Sequence, residues 1–320
     1  MSASGELLCT QDELNAMCRT GGQLLDDALA GGDRAAIAET LDQVLSARGG
    51  FAAVYVGWMS AMLSWLFERK GSDALTAALD PEGWVTVANR IEISLEQSIE
   101  AKSVFLEPAV ARDELLGLYD AGDLDTLRAR WAQIEASTLK LHTYRRDWVT
   151  SVLSGIYRDH GVDGLNDSLL YAGNQPWWQA GMIEEEKVTD PVARVRQWAF
   201  MLSVGVFSEI SLTEEPDAFV IHHRVCGSCG RQELDGRYEE PWNFLRVIEN
   251  VPGLNFSDPN FTVYRAHIPV IHYVVATETV GHPWPVIDCS GVPGKCWFRI
   301  YKDPADTPEE YFTRAGLTKA

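Results

Sequence analysis

The chain repeats itself at a constant offset of 90 residues, with no gap in the register. Gly32-Asp33 recurs as Gly122-Asp123, Gln43 as Gln133, Trp58 as Trp148 and Leu63-Ser64 as Leu153-Ser154. Gly71, Asp73, Leu75 and Leu79 recur as Gly161, Asp163, Leu165 and Leu169. Identities at that density, two tryptophans among them, define a duplication with units at about 11–83 and 101–173. Whatever structure one unit adopts, the other must adopt as well.

Each unit reads as helices. Leu14, Met17, Cys18, Gly21, Leu24, Leu25 and Ala28 follow the i, i+3, i+4, i+7 spacing of one helical face. Ala30-Gly31-Gly32-Asp33 ends that helix, and Asp33 is placed to cap the next. A further helix is expected over Phe51 to Arg69, stopped by Gly71. In the second unit Pro108 suits a first helical turn, Gly122-Asp123 punctuates and Gly161 stops. Connecting helices are expected at 86–103 and 191–207. The run Gly49–Phe67 has no charged residue and is long enough for a membrane span. Its twin, Leu141–Tyr157, holds His142, Arg145, Arg146 and Asp147. One architectural position is not lipid-facing in one copy and polar in the other, so Phe51–Phe67 is read as a buried helix in a helical bundle.

After Leu212 the pattern changes. Ala218–Val225 is short and β-rich, and Thr262–Ala266, Tyr273–Val280 and Cys296–Tyr301 are further strand candidates. Pro and Gly interrupt this part often. Short helices are expected over Glu240–Val251 and over Thr307–Gly316, the latter with Thr307 as its cap. The expected fold class is α+β: an all-helical domain at 1–210 built from the duplication, then a smaller mixed α/β domain at 211–320.

Composition narrows the partners. Lys plus Arg is 27 against 46 Asp plus Glu, a net charge of −19. Such a chain repels phosphate backbones and anionic bilayers, so neither a nucleic acid nor a membrane is an expected partner. The start of the chain shows no basic region followed by an apolar one, and six cysteines are no disulfide framework. Reduced thiols in a cytoplasmic protein are expected, and the apolar helical faces suit a homodimer.

The chemistry-bearing residues gather in the last third. The focal stretch is His222-His223-Arg224-Val225-Cys226-Gly227-Ser228-Cys229-Gly230. Thiolate and imidazole are the ligands zinc prefers, and a Cys-x2-Cys turn lets both sulfurs face one ion. The remaining ligands must come from elsewhere, with His267, His272, Cys289 and Cys296 as candidates. The set favoured is Cys226, Cys229 and His267, completed by His223 or Cys289. Other readings stay open: a thiol redox pair, Cys226 as a nucleophile activated by a nearby histidine, and small buried cysteines in a Gly-rich turn.

A second constellation joins His267, His272 and Glu278. On a regular strand His272 and Glu278 share a face, which suits them to moving a proton. The twin helices add a third. Ala52, Val54 and Gly57 in the first copy become His142, Tyr144 and Asp147 in the second, so a pocket-facing role for these three competes with a merely wetter helix face. Trp177-Trp178, Trp198, Trp242, Trp284 and Trp297 fit core packing more readily than a pocket lining.

The chain has no GxGxxG opening a helix, no phosphate-binding GxxxxGK[ST], no HExxH and no GxSxG. Nucleotide-driven and serine-hydrolase chemistry are therefore disfavoured. Cys289, followed by Gly294-Lys295-Cys296-Trp297-Phe298-Arg299-Ile300-Tyr301, resembles the closing strand of the vinyl-reductase-like small-molecule-binding domains and of the L-2-amino-thiazoline-4-carboxylate hydrolase-like proteins. That resemblance covers about 30 residues clearly and implies a small organic ligand in a partly apolar pocket with cysteines near it. The expected function is zinc-type, metal-dependent hydrolysis or lyase chemistry at a C–N or C–S bond of a small organic substrate. There His272, Glu278, His142, Tyr144 and Asp147 would serve the reaction. A non-catalytic small-ligand sensor and a thiol redox protein are the alternatives.

Overall fold

The computed structural model describes residues 7–79, 84–288 and 296–319. The repeat is visible in its elements. Helices α1 (Gln11–Met17) and α2 (Gly21–Gly31) precede α3 (Arg34–Lys70) and α4 (Ser72–Leu79). After α5 (Trp84–Ile91) and α6 (Leu95–Leu106), the α2–α3–α4 pattern recurs as α7 (Pro108–Asp120) and the long α8 (Leu124–Gly173). The punctuation is the same in both copies. Gly32 and Gly122 take φ of +69° and +74°, which a glycine adopts without a Cβ penalty. Asp33 and Asp123 then cap α3 and α8 through their side chains. Gly71 separates α3 from α4, and its counterpart Gly161 kinks α8.

The expected helix through Leu14 to Ala28 is two helices, because Thr20 makes a capping box with Gln23 and starts a new one. The expected 86–103 helix is likewise split, by a capping box of Ser94 and Gln97. The expected 191–207 helix is α10 (Pro191–Phe200) followed by a π-helical turn over Met201–Gly205. Helix α9 (Pro176–Glu186) precedes it and packs against α8 and the later Ala276–Val280 helix.

Among the described residues, α3 is the helix long and apolar enough to cross a membrane, and 44% of its apolar window is buried inside the protein. Tyr55, Trp58, Met62 and Trp65 are all at most 2% exposed, in one core with Val149, Val152 and Leu153 of α8. That core runs on past residue 210 into the C-terminal part, through Phe219, Ile221, Val270 and Ile271.

The fold is α+β. Strands β1 (Glu209–Glu214), β2 (Ala218–Val225), β5 (Val286–Asp288) and β6 (Trp297–Tyr301) form an antiparallel sheet in the order β1-β2-β6-β5, and β3 (Arg246–Val247) pairs separately with β4 (Phe261–Thr262). β2 is central, with His222 opposite Trp297. The strand expected at Thr262–Ala266 lasts only to Thr262, after which Tyr264–Ala266 is a 3-10 turn. The strand expected at Tyr273–Val280 is helical: π-helical turns over Ile268–Val275 lead into a short α-helix, Ala276–Val280. Buried β-branched residues there line a helix inside the core, and short apolar runs do not distinguish the two. No helix forms over Glu240–Val251. The last helix spans Glu309–Arg314, capped by Pro308 with no side-chain bond rather than by Thr307.

Candidate metal centre

The Cys226–Cys229 turn is held from three sides. Gly227 passes so close to the preceding π-helical segment that a Cβ would lie 1.7 Å from the Val206 carbonyl oxygen. Its N–H donates to Ser208 Oγ at 2.9 Å. Its carbonyl accepts from His142 Nε2 at 3.3 Å and from the Arg146 guanidinium at 3.2 Å, both from α8. The carbonyl only accepts, so the His142 proton resides on Nε2. On the far side Ser228 Oγ lies 3.2 Å from Tyr55 OH, which lies 3.2 Å from Tyr264 OH.

Four ligand-type side chains meet at this turn. Cys226 Sγ is 3.9 Å from Cys229 Sγ, and Cys296 Sγ is 3.5 Å from His223 Nδ1. Ligand atoms of His223, Cys226 and Cys296 all lie within 4.8 Å of one another. The four residues are at most 4% exposed. Ligands at zinc's usual distances on a tetrahedron stand about 3.8 Å apart for two sulfurs, and about 3.6 Å for a sulfur and a nitrogen. The two observed separations fit those edges; His223 Nδ1 also lies 3.3 Å from the Cys296 carbonyl, so ligation through it requires the tautomer with the proton on Nε2.

The electrostatics favour thiolate at the turn. The Cys226 thiol is held well below its ordinary value. It receives hydrogen bonds from the Cys229 and Cys296 thiols and from the Gly230 and Ser228 N–H groups, against the opposing effect of burial. Cys229 and Cys296, donating to it, are both pushed up. Of the three thiols, Cys226 is the one whose ionisation these contacts favour. Burial depresses His223 to about 4, so it is neutral and free to ligate near neutral pH. Its Nε2 has no hydrogen-bond partner despite being buried. The Arg265 guanidinium acts on Cys229 and lowers it, opposing the dominant effects.

The other expected residues fall elsewhere. His267 does not join the sulfurs. Its Nδ1 meets the Tyr264 carbonyl at 2.5 Å, and its ring packs on Trp58 and Tyr264. His272 is stacked on Trp284 and bonded through Nδ1 to the Trp284 carbonyl, and burial depresses it to about 3. Glu278 is exposed on the helical segment, so it does not share a strand face with His272. Cys289 lies outside the described residues.

His142, Tyr144 and Asp147 do not form one set. His142 sits among Phe51, Tyr55 and Phe207, supports the Cys226–Cys229 turn, and is depressed to about 3 by burial. Tyr144 stacks on Trp148. Asp147 is fully buried between two cations: Arg146 donates to Oδ1 and Arg237 to Oδ2, both at 2.9 Å, and Gln232 adds a third bond. It is the counter-ion of both arginines.

Sequence reasoning named Cys296 among the candidates but preferred His267 and Cys289. His267 lies apart from the sulfurs, whereas Cys296 meets His223 because β2 and β6 are neighbours in the sheet: His223 N–H donates to the Cys296 carbonyl at 3.0 Å, one residue beyond the last paired position. The usable signal was Gly230, directly after Cys229, whose N–H turns toward Cys226 Sγ.

The fold and site together define an α+β protein whose duplicated helical part grips a buried thiolate–imidazole cluster on an antiparallel sheet. Compared with protein-family models, curated proteins and solved structures, the chain matches none.

Proposed function

We propose that this protein binds one soft divalent metal ion, zinc by the chemistry of the donors, at His223, Cys226, Cys229 and Cys296. The observation that carries the reading is the pair of short edges, 3.9 Å between Cys226 and Cys229 and 3.5 Å between Cys296 and His223. Four buried protein ligands with no open position are the mark of a structural site, whose binding energy adds to folding energy. The ion would then tie the turn gripped by α8 to the two central strands. The test is elemental analysis of purified protein, with cobalt substitution as a second readout. Near-stoichiometric metal and a thiolate-to-cobalt absorption band, both lost in Cys226→Ser, are expected. Metal-free protein that takes up neither ion removes the reading.

A catalytic reading of the same site rests on one further observation: Cys229 stands outside the compact set of His223, Cys226 and Cys296. Three protein ligands and one exchangeable position are what hydrolytic metal sites use. When bound, the ion supplies Lewis acidity toward a small organic substrate, for hydrolysis or lyase chemistry at a C–N or C–S bond. The Ser228–Tyr55–Tyr264 hydroxyl chain is the group placed to hold a proton there; burial pushes Tyr55 up to about 12, so it acts as a donor. Metal-dependent turnover of small cyclic C–N or C–S compounds that survives Cys229→Ser but falls at least tenfold in Tyr264→Phe supports this reading. Metal-loaded protein without turnover leaves the structural one.

A further inference from the structure

The two long helices of the duplication are covered unequally. In α8 the face made by Arg146, Thr150, Ser154 and Tyr157 lies under residues 227–249. Arg146 donates to the Gly227 carbonyl at 3.2 Å, and Thr150 Oγ1 accepts from Gln232 at 2.7 Å. Ser154 Oγ accepts from the Leu245 N–H at 3.2 Å, and Tyr157 OH accepts from the Ile248 N–H at 3.3 Å. The offset of 90 sets Val56, Ser60, Ser64 and Phe67 of α3 at the same four positions, and Ala53 continues their three-and-four spacing. There the face is open. Val56 is 48% and Phe67 58% exposed, and Ala53, Ser60 and Ser64 are exposed with them. On one flank Trp177 of α9, also exposed, lies over Gly57, where a Cβ would stand 2.9 Å from its indole ring.

The open twin is thus less polar than the covered one, the reverse of what contact with water selects. A contiguous apolar patch of this kind marks an interaction surface. Residues 227–249 are already engaged on α8, and no stretch outside the described residues exceeds seven residues. The patch runs for about 21 Å along the helix, so its occupant is sought outside this chain. Helix α6 also exposes Leu95, Ile99 and Leu106, but the exposed charges of Glu96, Lys102 and Glu107 lie among them. From Gly49 to Phe67 there is no charge at all.

Two copies of a chain with net charge −19 repel each other, and they meet at least cost where neither brings a charge. The spacing on α3 is also self-complementary, as a two-fold interface requires. With the helices antiparallel and the axis at Ser60, Phe67 of one copy lies over Ala53 of the other and Val56 lies over Ser64. Each large side chain meets a small one, and Ser60 meets its own counterpart. We propose that the protein forms a two-fold dimer in which this face of α3 packs antiparallel on the same face of a second copy, in the register centred on Ser60.

The test is sedimentation equilibrium of the purified full chain over a hundredfold range of concentration, with cross-linking by a short bismaleimide. A reversible dimer is expected. Val56→Glu and Phe67→Glu, both at exposed positions, should each weaken it at least tenfold while circular dichroism and the melting temperature stay as in the wild type. Ser60→Cys should cross-link to a covalent dimer, whereas the wild type and Ser103→Cys, on the rival α6 face, should not. A wild-type protein that stays monomeric throughout overturns the proposal, as does a dimer that both glutamate variants leave intact. A dimer that cross-links through Ser103→Cys and not through Ser60→Cys overturns the choice of face. Monomer that floats with phosphatidylcholine vesicles gives the patch to a bilayer and overturns the second copy as occupant. These readouts are independent of metal at the cysteine cluster.

Discussion

Cys296 Sγ and His223 Nδ1 lie 3.5 Å apart, although 73 residues separate them in the chain. The contact exists because β6 pairs antiparallel with β2, and it brings the first residue before one strand against the last third of the other. Removing either partner should break the centre. Cys296→Ser and His223→Ala are each expected to lower zinc affinity at least tenfold, measured by competition with a chromophoric chelator. Chelation of the wild-type protein should also lower its melting temperature, because structural zinc contributes to folding.

Gly227→Ala should be among the most damaging single changes. The added methyl meets the Val206 carbonyl at 1.7 Å, a backbone atom that moves only if the π-helical turn moves. A loss of about 3 kcal/mol, at the upper end for overpacking, is expected in urea titrations, along with loss of bound metal.

Asp147→Asn removes the shared counter-ion of Arg146 and Arg237 while keeping its shape. A fully buried cation, Arg146, and a half-buried one, Arg237, are left facing an amide. Destabilisation of about 3–5 kcal/mol is expected, measured by the denaturation midpoint. An unchanged midpoint would show that the knot is not needed for the fold.

Burial depresses His142 and His272 to about 3 and His223 to about 4, from an ordinary value of 6.5. Between those values the unfolded chain binds protons that the folded one does not. Their contribution is complete above pH 6.5 and is lost as the pH falls toward 4 and then 3. Each histidine adds a slope of up to about 1.4 kcal/mol per pH unit in that window. Melting temperature measured from pH 7 down to pH 4 should fall, and less steeply in His272→Phe.

Glu185 behaves in the opposite sense. Its folded value, raised to about 7 from 4.5, means the folded protein holds a proton that the unfolded chain releases. Stability from this group is complete below pH 4.5 and is lost as the pH rises through 7. Glu185→Gln should therefore stabilise the protein at pH 8, on the order of 1–3 kcal/mol, with little effect at pH 4. Paired melting curves at the two pH values check it.

The sequence by itself determined the helical duplication, the glycine stops and aspartate caps that repeat at an offset of 90, and the neighbourhood of the site at Cys226 and Cys229. These are local matters: side-chain periodicity, left-handed glycines and a tight Cys-x2-Cys turn are settled within a few residues. The tertiary structure alone decided which distant residues complete the cluster, because strand order selects Cys296 and His223 and sends His267 into an aromatic core. It also decided the fate of 268–280, where a β-branched apolar run folds as helix, its first half buried in the core. Asp147 belongs to the same class. Its sequence position in a divergent twin suggested a pocket, whereas the chains packed around it, Arg146 and Arg237, made it a counter-ion.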